Sequence, residues 1–160
     1  MSTKAINEAL TKLSSGVYIV TTKFEDKLNG CTMVWTAQLS FQPLLVSAIL
    51  AKARYTHELI SKSKIFAINI LGEKHLELAK HFGFQSGRKV DKFANLGYET
   101  KTTGAPILRD SIAYLDCKLW ASYEGGDHTI FVGEVVDGGI SSAIDPLEPL
   151  IFKQEDFAGG

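Results

Sequence analysis

The apolar positions change period within the first fifty residues. Ile6, Ala9, Leu10 and Leu13 recur three and four apart, which predicts a short amphipathic helix over residues 4–14. "SSGVYIVTTKF" then turns to β-branched and aromatic residues, a strand signature. "EDKLNG" carries Asn29-Gly30, a turn dipeptide, and "CTMVWTAQLSF" resumes the strand character until Pro43. "LLVSAIL" is a more continuously apolar strand, buried on both faces. This pattern predicts an antiparallel meander.

"RYTHELISKSK" reads as a short helix with Thr56 as N-cap and Glu58 in its first turn. "IFAINIL" is a buried strand. "GEKHLELAKHFG" is a helix with Leu76, Ala79 and Phe82 on one face and Gly83 as its stop. "FQSGRKVDKFANLG" predicts an exposed loop with a helical turn. From Gly104 the chain reads as a long strand, a glycine hairpin and a long return strand. The tail after it has one apolar run, Leu150 to Phe152, and is expected to be loose. Six or seven strands with three or four short helices do not alternate as a parallel doubly wound sheet does. The class expected is mainly β, an antiparallel small barrel with short α-helices.

The length of 160 residues favours one domain over residues 1–160. Two cysteines, Cys31 and Cys117, are too few for a secreted disulfide scaffold and suit a cytoplasmic protein. The N-terminal segment is amphipathic and does not resemble a signal peptide. No run approaches the ~20 apolar residues of a membrane span. A net charge of −1 argues against broad nucleic-acid binding. Its distribution is uneven: ten Lys/Arg against five Asp/Glu from Lys52 to Lys101, then three against ten from Gly104 onward. A basic middle suits a small anion such as a phosphate, although an unevenly charged solvated surface gives the same count.

His57, His75, His81 and His128 show no zinc-ligand spacing with each other or with the cysteines, so no metal site is expected. Neither a G-x-S-x-G nucleophile motif nor a Walker or Rossmann glycine loop occurs. Four polar clusters remain. Thr32, Thr36, Gln38 and Ser40 surround Trp35, and short hydroxyls with backbone amides beside an aromatic can hold a flat heterocycle. A solvated strand face would alternate in the same way. Lys52, Arg54, Tyr55 and Thr56 precede a predicted helix, as a phosphate site or as ordinary capping with surface charge. Arg88, Lys89 and Lys92 lie on a loop that either closes over an anion or is simply solvated. Asp127 and His128 stand at a hairpin mouth, as turn residues or facing a ligand.

From Ile6 to Val136 the order and spacing of "LSSGVYIVTT", "NGCTMVWTAQLSFQPLLVSAIL", "RYTHELISKSKIFAINIL" and "GAPILRDSIAYLDCKL" followed by "GDHTIFVGEV" resemble the FMN-binding split-barrel flavin reductases and the related flavoredoxins. The resemblance implies an antiparallel split β-barrel and a homodimer that takes FMN as bound cofactor or substrate. It implies NADH or NADPH as donor, with a partner oxygenase or a small redox protein downstream. Carried over by position, Met33, Val34, Trp35, Thr36, Gln38, Leu39 and Ser40 would line the isoalloxazine, and Lys52, Arg54, Tyr55 and Thr56 the phosphate. Phe82, Arg88 and Lys92 would close the far end, and His128 would serve catalysis beside the nicotinamide. Met33 and Trp35 are bulkier than the family's usual serine-rich residues. The ending "LIFKQEDFAGG" lacks the family's frequent tyrosines and arginines. Both departures bear on the nicotinamide. They leave open an FMN electron carrier served by a rubredoxin or ferredoxin. A third class also stays open, a non-redox barrel that binds some other small ligand or protein.

Overall fold

The computed structural model describes residues 2–141 and 148–159. The elements run α1 (Thr3–Leu10), β1 (Tyr18–Phe24), β2 (Lys27–Met33), β3 (Thr36–Phe41), β4 (Leu44–Ala51), α2 (Tyr55–Ser63), β5 (Ile65–Ile70), α3 (Leu76–Gly83), β6 (Tyr98–Thr100), β7 (Pro106–Leu108), β8 (Ala113–Gly125) and β9 (His128–Ile140). A single 3₁₀ turn follows at Gln154–Phe157. Seven strands form one antiparallel sheet in the order β2-β1-β5-β8-β9-β4-β3, and β6 pairs with β7 alone.

The sheet curls so that side chains from most of its strands meet in one core. Val20, Cys31, Met33, Val46, Ala48, Leu50, Phe66, Ile68, Cys117 and Phe131 fill it, and Ile60 of α2 closes one end. Its two edges, β2 and β3, are consecutive in sequence but unpaired with each other, so the barrel is split there. A second core lies outside the barrel, where Ile19 packs with Ala79 and Phe82 of α3 and with Phe93, Leu108 and Leu150. β1 is therefore covered on both faces, which explains its run of buried residues from Ile19 to Thr22.

Several sequence expectations change. The first hairpin turns at Glu25-Asp26, with Glu25 at φ 55°, and Asn29-Gly30 lies inside β2. The expected single strand through "CTMVWTAQLSF" breaks at Val34-Trp35, so the meander is interrupted at the split. Arg54, not Thr56, occupies the N-cap position of α2; Thr56 is the second residue of the helix and fully buried. The first helix is shorter than expected, ending at Leu10, and buries no residue. The 84–97 loop is not uniformly exposed, since Lys92 and Phe93 are buried.

The tail is not loose where it is described. Leu150 exchanges backbone hydrogen bonds with Val17 and Leu71, and Phe152 N donates to Ser15 O. Residues 142–147, also expected to be loose, lie outside the described residues.

Candidate functional site

A cavity of about 630 Å³ opens between β2, the start of α2 and the segment after α3. Along β2, Asn29, Cys31 and Met33 point one way because side chains alternate. Cys31 and Met33 enter the barrel core, and Asn29 comes to its open end beneath α2. Its Nδ2 donates to Thr56 Oγ1 at 2.9 Å. Arg54 reaches across and donates to Gly83 O at 3.1 Å. Lys92 enters from the loop and donates to Gly30 O at 2.8 Å and Phe82 O at 2.9 Å. Burial lowers its pKa to about 8; Cys31 opposes the shift and Arg54 adds to it. Gln85, Ser86 and Gly87 form the outer wall.

The cavity thus gathers two cationic side chains, the Thr56 hydroxyl and the first turn of a helix, whose leading amides lack intrahelical partners. This is an anion-binding arrangement. One acceptor is also unmet: Asn29 Oδ1 is buried without a hydrogen-bond partner. A ligand carrying an anionic group and hydroxyls fits this donor and acceptor set.

β4 links the cavity to a second feature. Ala51 and Ala53 line the cavity, and Ala51 pairs with His128 across the sheet. The β8–β9 loop is Gly126-Asp127, with Gly126 at φ +74°, a conformation open to glycine. Asp127 O accepts from Lys52 N at 2.9 Å, and Lys52 Nζ pairs with Glu124. His128 Nδ1 donates to Asp127 Oδ1 at 2.6 Å, which holds the Asp127 carboxyl below its ordinary range. On the other side the Trp35 ring lies 4.7 Å from the His128 ring. His57 of α2 bonds Thr129 Oγ1 at 2.7 Å, and burial pushes its pKa down. Helix, hairpin and the 52–54 connection are therefore one unit.

Of the residues singled out in the sequence, Arg54, Tyr55, Thr56 and Lys92 meet in the cavity, and Trp35 meets His128. Val34, Trp35 and Thr36 line a larger groove of about 1540 Å³ beside α1 and residues 151–155. Met33 points into the core, and Phe82 is fully buried. Arg88 lies outside the cavity, donating to Glu58 at 2.6 Å and stacking on Tyr55. Lys52 is held by Glu124, while Gln38 and Leu39 are exposed and Ser40 half-buried on the edge strand β3. Sequence reasoning missed Asn29, Gln85 and Ser86. The signal for Asn29 was a polar residue in register with Cys31 and Met33, masked by the turn-like Asn-Gly pair. Among the described residues no cluster of His, Cys, Asp or Glu could hold a metal, and no helix is long and apolar enough to cross a membrane.

Residues 10–160 match the flavin reductase like domain. The chain belongs to that family. It is 35% identical over 149 residues to a high molecular weight rubredoxin of Moorella thermoacetica, covering 92% of this chain and 65% of the relative. It is 30% identical to the reductase subunit HsaB of a flavin-dependent monooxygenase from Mycobacterium tuberculosis, covering 98% of this chain and 81% of the relative. A putative diflavin flavoprotein of Nostoc matches at 36% identity over 85% of this chain, which spans only 24% of that protein. The NADH:FAD oxidoreductase SgcE6 of Streptomyces globisporus superposes with a TM-score of 0.83 at 28% identity, over 92% of this chain and 87% of that one. The chain has the mainly antiparallel β fold of that family.

Proposed function

We propose that this chain is a single FMN-binding domain that accepts a hydride from NADH or NADPH onto its flavin and passes electrons to a downstream acceptor. The observation that carries the FMN reading is the convergence of Arg54, Lys92 and Thr56 on one cavity beside α2. In this reading those three hold the phosphate, and the Val34–Thr36 strap and the Trp35–His128 pair lie toward the ring. The flavin supplies the redox chemistry; the protein binds it, orients it and excludes water. His128 is held by Asp127 on one side and Trp35 on the other, so its imidazole is fixed in place for a nicotinamide. The NADH:FAD oxidoreductase neighbour and the monooxygenase reductase relative support a nicotinamide donor and an oxygenase as acceptor.

Binding separates the contributions. Replacing Arg54 and Thr56 together by Ala is expected to weaken FMN binding by about tenfold or more, measured by quenching of flavin fluorescence. Lys52→Ala, which removes a side chain held by Glu124 outside the cavity, is expected to change it little. Unchanged affinity in the double variant contradicts the assignment.

A second reading has its own observation. Trp35 lies against His128 and occupies space in front of the hairpin. In that reading the flavin is reduced by a protein donor such as a rubredoxin or ferredoxin, and no nicotinamide binds. The rubredoxin relative favours it.

A further inference from the structure

The cations of the cavity account for an anion, but they leave Asn29 Oδ1 unexplained. That oxygen is buried and has no hydrogen-bond partner, while the same amide is anchored through Nδ2 to Thr56. Turning the amide over exchanges which atom is unmet but still leaves one. Buried polar atoms are almost always paired, and an unmet one at a cavity wall points to a missing partner. With Nδ2 on Thr56 the unmet atom is an acceptor, whose partner must be a donor, and a fully ionised phosphate has no proton to give. The wall over the oxygen is Gly87, which approaches so closely that a Cβ there would collide with the Asn29 amide. Both residues line the cavity, so the unmet oxygen lies at its wall.

We propose that Asn29 is a specificity-determining residue that accepts a hydrogen bond from a hydroxyl of the polyol chain next to the phosphate held by Arg54 and Lys92. The cavity then reads a polyol phosphate as a unit, charge at one point and hydroxyl at another. This rests on the FMN reading above and adds the residue that recognises the ribityl chain.

Fluorescence titration of FMN and riboflavin against wild type, Asn29→Leu and Asn29→Asp tests it, with circular dichroism confirming the fold. Asn29→Leu removes the acceptor and is expected to weaken both flavins by about tenfold. Asn29→Asp keeps an acceptor but sets a negative charge beside the phosphate. It is expected to weaken FMN by about tenfold or more and riboflavin by no more than about threefold. A folded Asn29→Leu protein that binds both flavins as wild type does overturns the proposal. So does one that loses FMN affinity alone, which would assign the amide to the phosphate, and so does an Asn29→Asp protein equally impaired for both. A measurement on the wild type guards against variants that fail to fold. The Asn29 side-chain carbonyl ¹³C resonance is expected to move with FMN and riboflavin and to stay put with lumiflavin, which lacks the chain. No movement with FMN also overturns it. Failure of the wild type to bind FMN at all instead removes the FMN reading, and this inference with it.

Discussion

Lys92 carries its ammonium into the interior, where two backbone carbonyls receive it. Burial lowers its pKa from 10.5 to about 8. Below that value both folded and unfolded chains hold the proton. Between about 8 and the ordinary lysine value the unfolded chain binds more protons than the folded one, so this group makes stability rise with pH across that window. Anion binding follows the opposite slope. FMN affinity is expected to fall as pH rises through about 8, and Lys92→Met is expected to bind more weakly and to lose that step. Titrations at several pH values check both. His128 is predicted to act on the donor and not on the flavin. His128→Ala is expected to keep FMN affinity and to lose about tenfold or more of the NADH-dependent rate in stopped-flow mixing. A variant with the full rate contradicts that role.

The strands position these residues, and their packing is tight where they cross the barrel. A Cβ on Gly133 of β9 would stand 2.5 Å from Phe66 Cζ and 2.8 Å from Cys117 Cβ. Gly133→Ala is expected to cost about 1–3 kcal/mol of stability by overpacking, read from urea unfolding. β4, β5, β8 and β9 were legible in the sequence because long β-branched and aromatic runs identify strands without further context. The break at Val34-Trp35 was not, since both residues favour strands and only the split of the barrel separates β2 from β3. Asn29-Gly30 read as a turn because that pair commonly makes one. Here Asn29 is consumed by Thr56, a partner 27 residues away that no local pattern announces. The tail was misread for a similar reason. Its few apolar residues dock by backbone pairing to Val17 and Leu71 and by the ring contacts of Phe157 with Phe84 and Phe152.

The whole molecule leaves apolar surface uncovered on several elements: Ile6, Leu10 and Leu13 at the N-terminus, Leu39 and Phe41 on β3, Trp120 and Tyr123 on β8. Phe41 is 88% exposed. A homodimer, as the family resemblance implies, would have such residues available for its interface. Sedimentation is expected to give twice the chain mass of 17.5 kDa, and a monomer at micromolar concentration contradicts it. The family resemblance was legible in the order of segments. Arg54 and Thr56 were legible as a cation and a hydroxyl before a helix, whereas Lys92 was read as a cation on a loop closing the far end. Their convergence depends on long-range pairing that spacing alone does not encode. The central claim is that a nicotinamide reduces the flavin in this site, despite the Trp35 ring against His128. Anaerobic mixing of the FMN-loaded protein with NADH or NADPH tests it most directly. Rapid bleaching of the visible flavin band is expected with at least one of the two. A protein that binds FMN and keeps its colour with both, yet bleaches with a reduced rubredoxin or ferredoxin, contradicts it.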